Sequence, residues 1–301
     1  MITLDLDLSY LSSYYHIGTN ALEQYKSSNK SIAEVMEIEA AKGNPKAAEF
    51  LMRAASDPKE LARVFQLINP KNRYLILKNM NKEDLMKVME KLDTDQLVLG
   101  LSIFTKDSIC QMMMEMEPEA LSKMVLENIG TEKFLKMLPE KFMDEFLSSD
   151  KLDRKTLGKA LENVDEEQLQ KMMENMTGQS CYDDKDSILK QMESLDDDHF
   201  RKAMFSFDTQ GKQQLIANVV KEKPELFEEF SPEAMVYPFM QMEKEDILKC
   251  MQVLEPDDFM PMMENMPQEF MALIATQVDP EDFAQILCSD FSDIITQCAV
   301  G

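Results

Sequence analysis

The chain has 301 residues, with 32 Lys plus Arg against 56 Asp plus Glu, a formal net charge of -24 at pH 7. That balance excludes a nucleic-acid or anionic-lipid binder, because such binding rests on Lys and Arg set against phosphate, and it suits solubility, basic partner proteins or cations. Hydrophobic residues at 44% exclude a disordered chain, and 27 Met with only 8 Gly and no Trp favour helix over strand.

Residues 1–30 stand apart from the rest. Ile2, Leu4, Leu6 and Leu8 alternate with polar residues, a strand-like pattern over a short window. Tyr10, Leu11, Tyr14 and Tyr15 follow, then a polar link from Tyr25 to Lys30. This reads as an N-terminal arm, at most partly ordered, docking on what comes next. Residues 31–56 read as a helical hairpin. Ser31 is placed to cap a helix, and Glu34 three residues on completes a capping box. Gly43-Asn44 ends that helix and Pro45 opens the second.

A repeat begins at residue 57. Openings fall near Pro58, Pro70, Lys82, Thr94, Lys106 and Pro118, each 12 residues after the last, and then near Thr131, Pro139, Arg154, Glu166, Lys185, Asp197 and Pro224. A closing series starts at Pro232, Lys244, Pro256, Pro267 and Pro280. Proline suits a first helical turn, and the acids after it favour the positive end of the helix. Each opening leads into an apolar stripe at helical spacing, as in Ile109, Met112, Met113 and Met116, or Leu169, Met172, Met173 and Met176. Irregular joints are expected at Leu147–Asp153, Thr177–Asp184 and Thr209–Lys223. The loop after Thr177 divides the repeat into a first block, 57–177, and a second, 184–301.

A helix of two or three turns is not stable alone in water, so each must bury its stripe on its neighbours. Pairing them gives a two-helix unit of about 24 residues, and stacking the pairs gives an all-α superhelical solenoid. Counting each opening as zero, the stripe falls at +3, +6, +7 and +10. Position +8 lies off it and is polar at Gln66, Lys78, Glu90, Glu174, Glu193, Gln252 and Glu264. It is apolar at Met114, Leu126, Phe205 and Met240. These four are either second-face contacts of helices buried on both sides, which a stack of paired helices favours, or an exposed ridge that binds a partner.

The units Leu92-Asp93-Thr94-Asp95-Gln96-Leu97, Met116-Glu117-Pro118-Glu119-Ala120-Leu121, Leu254-Glu255-Pro256-Asp257-Asp258-Phe259 and Val278-Asp279-Pro280-Glu281-Asp282-Phe283 share a hydrophobic-acid-x-acid-x-apolar pattern, with Pro at x in three of them. Across roughly residues 57–290 the chain resembles the cytosolic N-terminal domain of the MgtE magnesium transporters. It is also similar to the armadillo-like middle and C-terminal domains of the flagellar rotor protein FliG. The resemblance implies a stack of short helices serving interaction or regulation. It carries over no functional residue. The CBS and transmembrane parts of MgtE are not seen in this sequence, nor is the charged torque helix of FliG.

Catalytic chemistry has little to stand on. The two histidines, His16 and His199, form no recognisable set with Cys or Ser, and no Gly-rich phosphate loop is present. The five cysteines, Cys110, Cys181, Cys250, Cys288 and Cys298, are odd in number and lack CxxC spacing, which fits a reducing cytoplasm better than a disulfide or zinc framework. The N-terminus lacks the basic region of a secretory signal, and no apolar run is long enough to enter a membrane. Asp183, Asp184 and Asp186, and Asp196, Asp197 and Asp198, are weak candidates for Mg²⁺ or Ca²⁺ through oxygen ligands. Their place at helix openings equally suits capping. The expectation is a non-enzymatic, cofactor-free adaptor that binds a protein partner along an acidic, Met-rich surface. The alternative is a divalent-cation-responsive regulatory module like the MgtE domain.

Overall fold

The computed structural model describes residues 8–55, 58–79, 82–179 and 184–290, and every regular element among them is helical. The openings read from the sequence fall on helix starts. Pro58, Pro70, Lys82, Thr94, Lys106, Pro118, Thr131, Arg154, Glu166, Lys185, Asp197, Pro232, Lys244 and Pro280 are each a first helical residue. Pro139 and Pro267 sit one position earlier, as N-caps. Pro224 and Pro256 open short 3-10 helices, Pro224–Glu229 and Pro256–Phe259. The α-helices run from 6 residues in Met260–Asn265 to 14 in Thr209–Glu222, so the 12-residue period is a helix plus its turn rather than a 12-residue helix.

Two expectations need correction. The N-terminal stretch is helical where it is described, as Leu8–Tyr15 and Thr19–Ser27. Leu11, Ile17 and Leu22 are buried with Val35, Met36, Ala40, Ala47, Ala48 and Leu51, so this segment is part of a core rather than a loosely docked arm. The strand-like alternation over residues 2–7 lies outside the described residues. The second correction concerns Thr209–Lys223, read as an irregular joint. It is the Thr209–Glu222 helix, whose first turn is fixed by the Asp208 carboxylate accepting the Gly211 amide at 2.8 Å.

The hairpin at 31–56 forms as its caps require. The Ser31 side chain accepts the Glu34 amide and the Glu34 carboxylate accepts the Ser31 amide at 2.7 Å. At the other end Gly43 takes φ +102°. The Gly43 amide donates to Ala40 and the Asn44 amide to Glu39, a Schellman closure that a residue with a Cβ reaches only under strain.

The contacts divide the chain into two compact units that cut it elsewhere than the 177–184 loop. One unit joins residues 1–103 to 263–301, and the other is 104–262. In the first unit the end of the chain packs on its early helices. Helix Pro280–Asp290 lies against Pro58–Leu67, where the rings of Phe65 and Phe283 meet edge to face at 4.8 Å. Helix Gln268–Ala275 packs on three successive helices, Pro70–Asn79, Lys82–Met89 and Thr94–Leu101. Gly100 makes that approach possible, since a Cβ there would stand 2.4 Å from Ile274 Cγ2 and 3.1 Å from Ile274 Cα. Polar side chains tie the helix ends across the same contact. Lys82 Nζ donates to the Glu264 carbonyl at 2.7 Å, and Gln96 Nε2 to Asp282 Oδ2 at 3.0 Å.

In the second unit the Thr209–Glu222 helix is central. It packs against Thr131–Met137, Glu140–Leu147, Arg154–Glu162, Glu166–Thr177 and Pro224–Glu229. Leu215, Ile216, Val219 and Val220 form its buried stripe. Beside it Phe134, Phe146, Phe227 and Phe230 make an aromatic cluster, with Phe146 and Phe230 stacked at 4.4 Å between centroids. Each such pair adds about 0.5–1.5 kcal/mol beyond the area it buries. Lys212 is buried beside this interior, 3% exposed. Its ammonium meets Glu140 Oε1 at 2.5 Å and Asp144 Oδ1 at 2.7 Å, one turn apart on a single helix. Burial works to lower its pKa, but the hydrogen bonds to Asp144 and Glu140 outweigh it and hold the ammonium above the ordinary lysine range.

Candidate partner-binding surface

Position +8 faces outward in many units, although Leu147 after Pro139 and Ala275 after Pro267 are buried there. Gln66, Lys78, Glu90, Glu174, Glu193, Gln252 and Glu264 are all exposed. The cause is the 100° step per residue, which turns +8 well away from a stripe at +3, +7 and +10. The apolar exceptions follow the same geometry. Leu126 is 39% exposed, Phe205 39% and Met240 42%, so burial on a second face does not account for them. Met114 is half-buried at the C-cap of the Lys106–Met113 helix.

Three of the four share a neighbourhood. Met114 closes Lys106–Met113, Leu126 sits on Pro118–Asn128 and Met240 ends Pro232–Met240, and the last of these helices packs against both others. Lys106 Nζ reaches the Met240 carbonyl at 3.2 Å and caps that helix end with a positive charge. Phe205 ends the Asp197–Phe205 helix, whose main neighbours are Glu140–Leu147 and Glu166–Thr177. The structure therefore gathers Met114, Leu126 and Met240 on touching helices and places Phe205 on a different group of helices.

Exposed apolar side chains are not confined to position +8. Leu99 is 54% exposed, Ile103 41%, Phe270 39% and Leu67 37%, all in the first unit. Leu99 stands at +5 of its helix, between the buried Val98 and Leu101. Its place off the apolar stripe is visible in the helical spacing alone.

In each acidic run one residue caps a helix. Asp184 accepts the Ser187 amide at 2.8 Å, and that bond holds its carboxyl below the usual range. Asp196 accepts the His199 amide at 2.9 Å and lies 2.8 Å from His199 Nδ1, and these bonds lower its pKa in the same way. Asp197 pairs with Arg154 at 2.7 Å. Asp186 and Asp198 lie in the first turns of their helices, and Asp183 falls outside the described residues. Among the described residues no three His, Cys, Asp or Glu side chains are grouped to hold a metal ion. His16 lies exposed in the turn between the first two helices at φ +54°. Cys110 and Cys250 are buried, and burial raises both thiol pKa values, away from the thiolate a nucleophile needs.

No described helix is long and apolar enough to cross a membrane. No family model, no curated protein and no solved structure matches the chain.

Proposed function

We propose that this chain is a non-enzymatic, cytoplasmic helical-repeat adaptor, a superhelical stack of short helices that binds a protein partner. The repeat pattern of the sequence resembles that of the stacked helices in the MgtE N-terminal domain and in FliG. The observation that carries the reading is the exposure of Leu126 and Met240 at a position that is polar in many units, on helices that touch. An exposed apolar side chain supplies affinity at the contact, and the net charge of -24 steers a basic partner toward it.

The test compares what the wild type and the Leu126→Asp and Met240→Asp variants capture, after their thermal midpoints have been shown to match. Both changes sit at exposed positions, so folding is expected to survive and capture to fall. Undiminished capture by both folded variants would sink the ridge. A parallel melt with and without millimolar Mg²⁺ at matched ionic strength is expected to show no displacement of the midpoint. An upward shift would favour the cation-responsive alternative.

A further inference from the structure

A cleft of about 410 Å³ runs along the polar side of the Thr209–Glu222 helix, a volume in the range of ligand sites. Gln210, Gln213, Gln214, Ala217 and Asn218 line it, at i, i+3, i+4, i+7 and i+8 of one helix face. Glu132, Leu135 and Lys136 line it from the Thr131–Met137 helix, and Asn163 and Asp165 from the turn before Glu166.

The amides are oriented by chemistry. Gln213 Nε2 donates to the Leu135 carbonyl at 3.2 Å, Asn218 Nδ2 to the Ala160 carbonyl at 3.2 Å and Asn163 Nδ2 to the Lys159 carbonyl at 3.3 Å. A carbonyl accepts only from the NH₂ end of an amide, so the partner fixes which end is which. Each anchored amide thus has its oxygen left to offer a ligand. Gln214 is engaged at both ends, donating to Asp165 Oδ2 at 2.7 Å and accepting the Asp165 amide at 3.2 Å. The cleft is therefore rich in acceptors: the oxygens of Gln213, Asn218 and Asn163, with the carboxylates of Glu132 and Asp165. Lys136 is the one cation among the lining residues.

We propose that this cleft binds an arginine side chain of a partner protein. A guanidinium carries five donors in a planar fork and no acceptor, the complement of several spread oxygens, and it keeps its charge at all ordinary pH. An acidic protein attracts such a segment from a distance, and the cleft supplies the hydrogen bonds on arrival. This deepens the adaptor reading and rests on it.

The test is a fluorescence-anisotropy titration with a labelled pentapeptide of alternating glycine and arginine, beside the same peptide carrying citrulline for arginine. Citrulline keeps most of the donors and lacks the charge. Asn218→Leu is expected to weaken arginine-peptide binding about tenfold, the value of one acceptor to a charged donor. Lys136→Gln, a change at an exposed site, is expected to tighten it. Glu243→Gln, elsewhere in the same unit, is expected to leave it unchanged, and the citrulline peptide is expected to bind more weakly than the arginine peptide. Equal affinity across Asn218→Leu, Lys136→Gln and Glu243→Gln, or equal binding of the citrulline peptide, would overturn the proposal. If no arginine peptide binds while Met240→Asp still reduces capture, the cleft proposal fails and the adaptor reading stands. If neither is seen, the reading itself has failed.

Discussion

Two helices do similar work in the two units by different means. Gln268–Ala275 lies against three neighbours in the first unit through Met271, Ala272, Ile274 and Ala275, all buried and apolar. Thr209–Glu222 lies among five neighbours in the second, and alongside its apolar stripe it buries the Lys212 ammonium and anchors Gln213, Gln214 and Asn218 on surrounding backbone and carboxylate groups. The first kind of contact is set by shape: a glycine on one side and an isoleucine on the other. The second is set by hydrogen-bond satisfaction, where each polar group must find its partner or lose its solvation.

The shape-set contact should break hardest. Gly100→Val drives side-chain atoms into Ile274, backbone included, and is expected to cost about 3 kcal/mol, the upper range of overpacking. Urea unfolding of the single and double variants measures it. Ile274→Ala should recover part of the loss, giving a coupling of about 1 kcal/mol, and strict additivity would show that the two residues do not meet.

The polar contact should respond to the chemistry of the replacement. Lys212→Ala is expected to cost about 2 kcal/mol, less than a fully buried pair because Glu140 and Asp144 are 50% and 41% exposed and can take up water. Lys212→Met keeps the packing and is expected to fall within about 1 kcal/mol of the wild type. Equal losses from both would show that the ion pairs, and not the volume, hold the helix.

The smallest effect concerns a surface cap in the second unit. The Asp153 carboxylate accepts the Thr156 amide at 2.6 Å, and this bond, together with the one to Lys223, brings its pKa down to about 2. A depressed carboxyl contributes stability above its unfolded pKa, and that contribution is lost as pH falls through the folded one. Asp153→Asn should therefore flatten the thermal-midpoint profile between about pH 4 and pH 2 and leave its shape near neutrality unchanged. A profile as steep as that of the wild type would mean that other carboxyls set the acid limb.

The same contrast explains what could be read from the sequence. Helix starts at Pro58, Pro118 and Pro232 were legible because local chemistry places them: a proline or a capping residue, an acid, then a stripe. Outward position +8 followed from the helical step alone. Thr209–Glu222 is hard to read despite its Asp208 cap, because the first turn Thr209-Gln210-Gly211-Lys212 carries neither proline nor acid and sets a charge on the buried side. Lys212 looks like surface until Glu140 and Asp144, some 70 residues earlier, are brought to it. The cleft was equally hidden, since Gln213 and Asn218 acquire their orientation only from carbonyls on other helices. The pairing of Pro280–Asp290 with Pro58–Leu67 left no local trace in either stripe.

That last pairing bears on how the chain is made. The contacts that close the first unit join residues from 174 positions apart, at Gly100 and Ile274, to 218 apart, at Phe65 and Phe283. A ribosome has produced all of 104–262 before it reaches the helices at 268–275 and 280–290. The inserted unit has every residue it needs while the outer one still lacks its closing helices, so the early helices from Pro58 onward wait with apolar faces uncovered. Domains tend to fold as units during synthesis, and uncovered faces invite aggregation. Folding the inserted unit first shortens the free loop to be closed, although the entropy recovered is small, about 0.6 kcal/mol for each halving of its length. Its larger effect is order: synthesis assigns the second unit to finish first and the first unit to finish last.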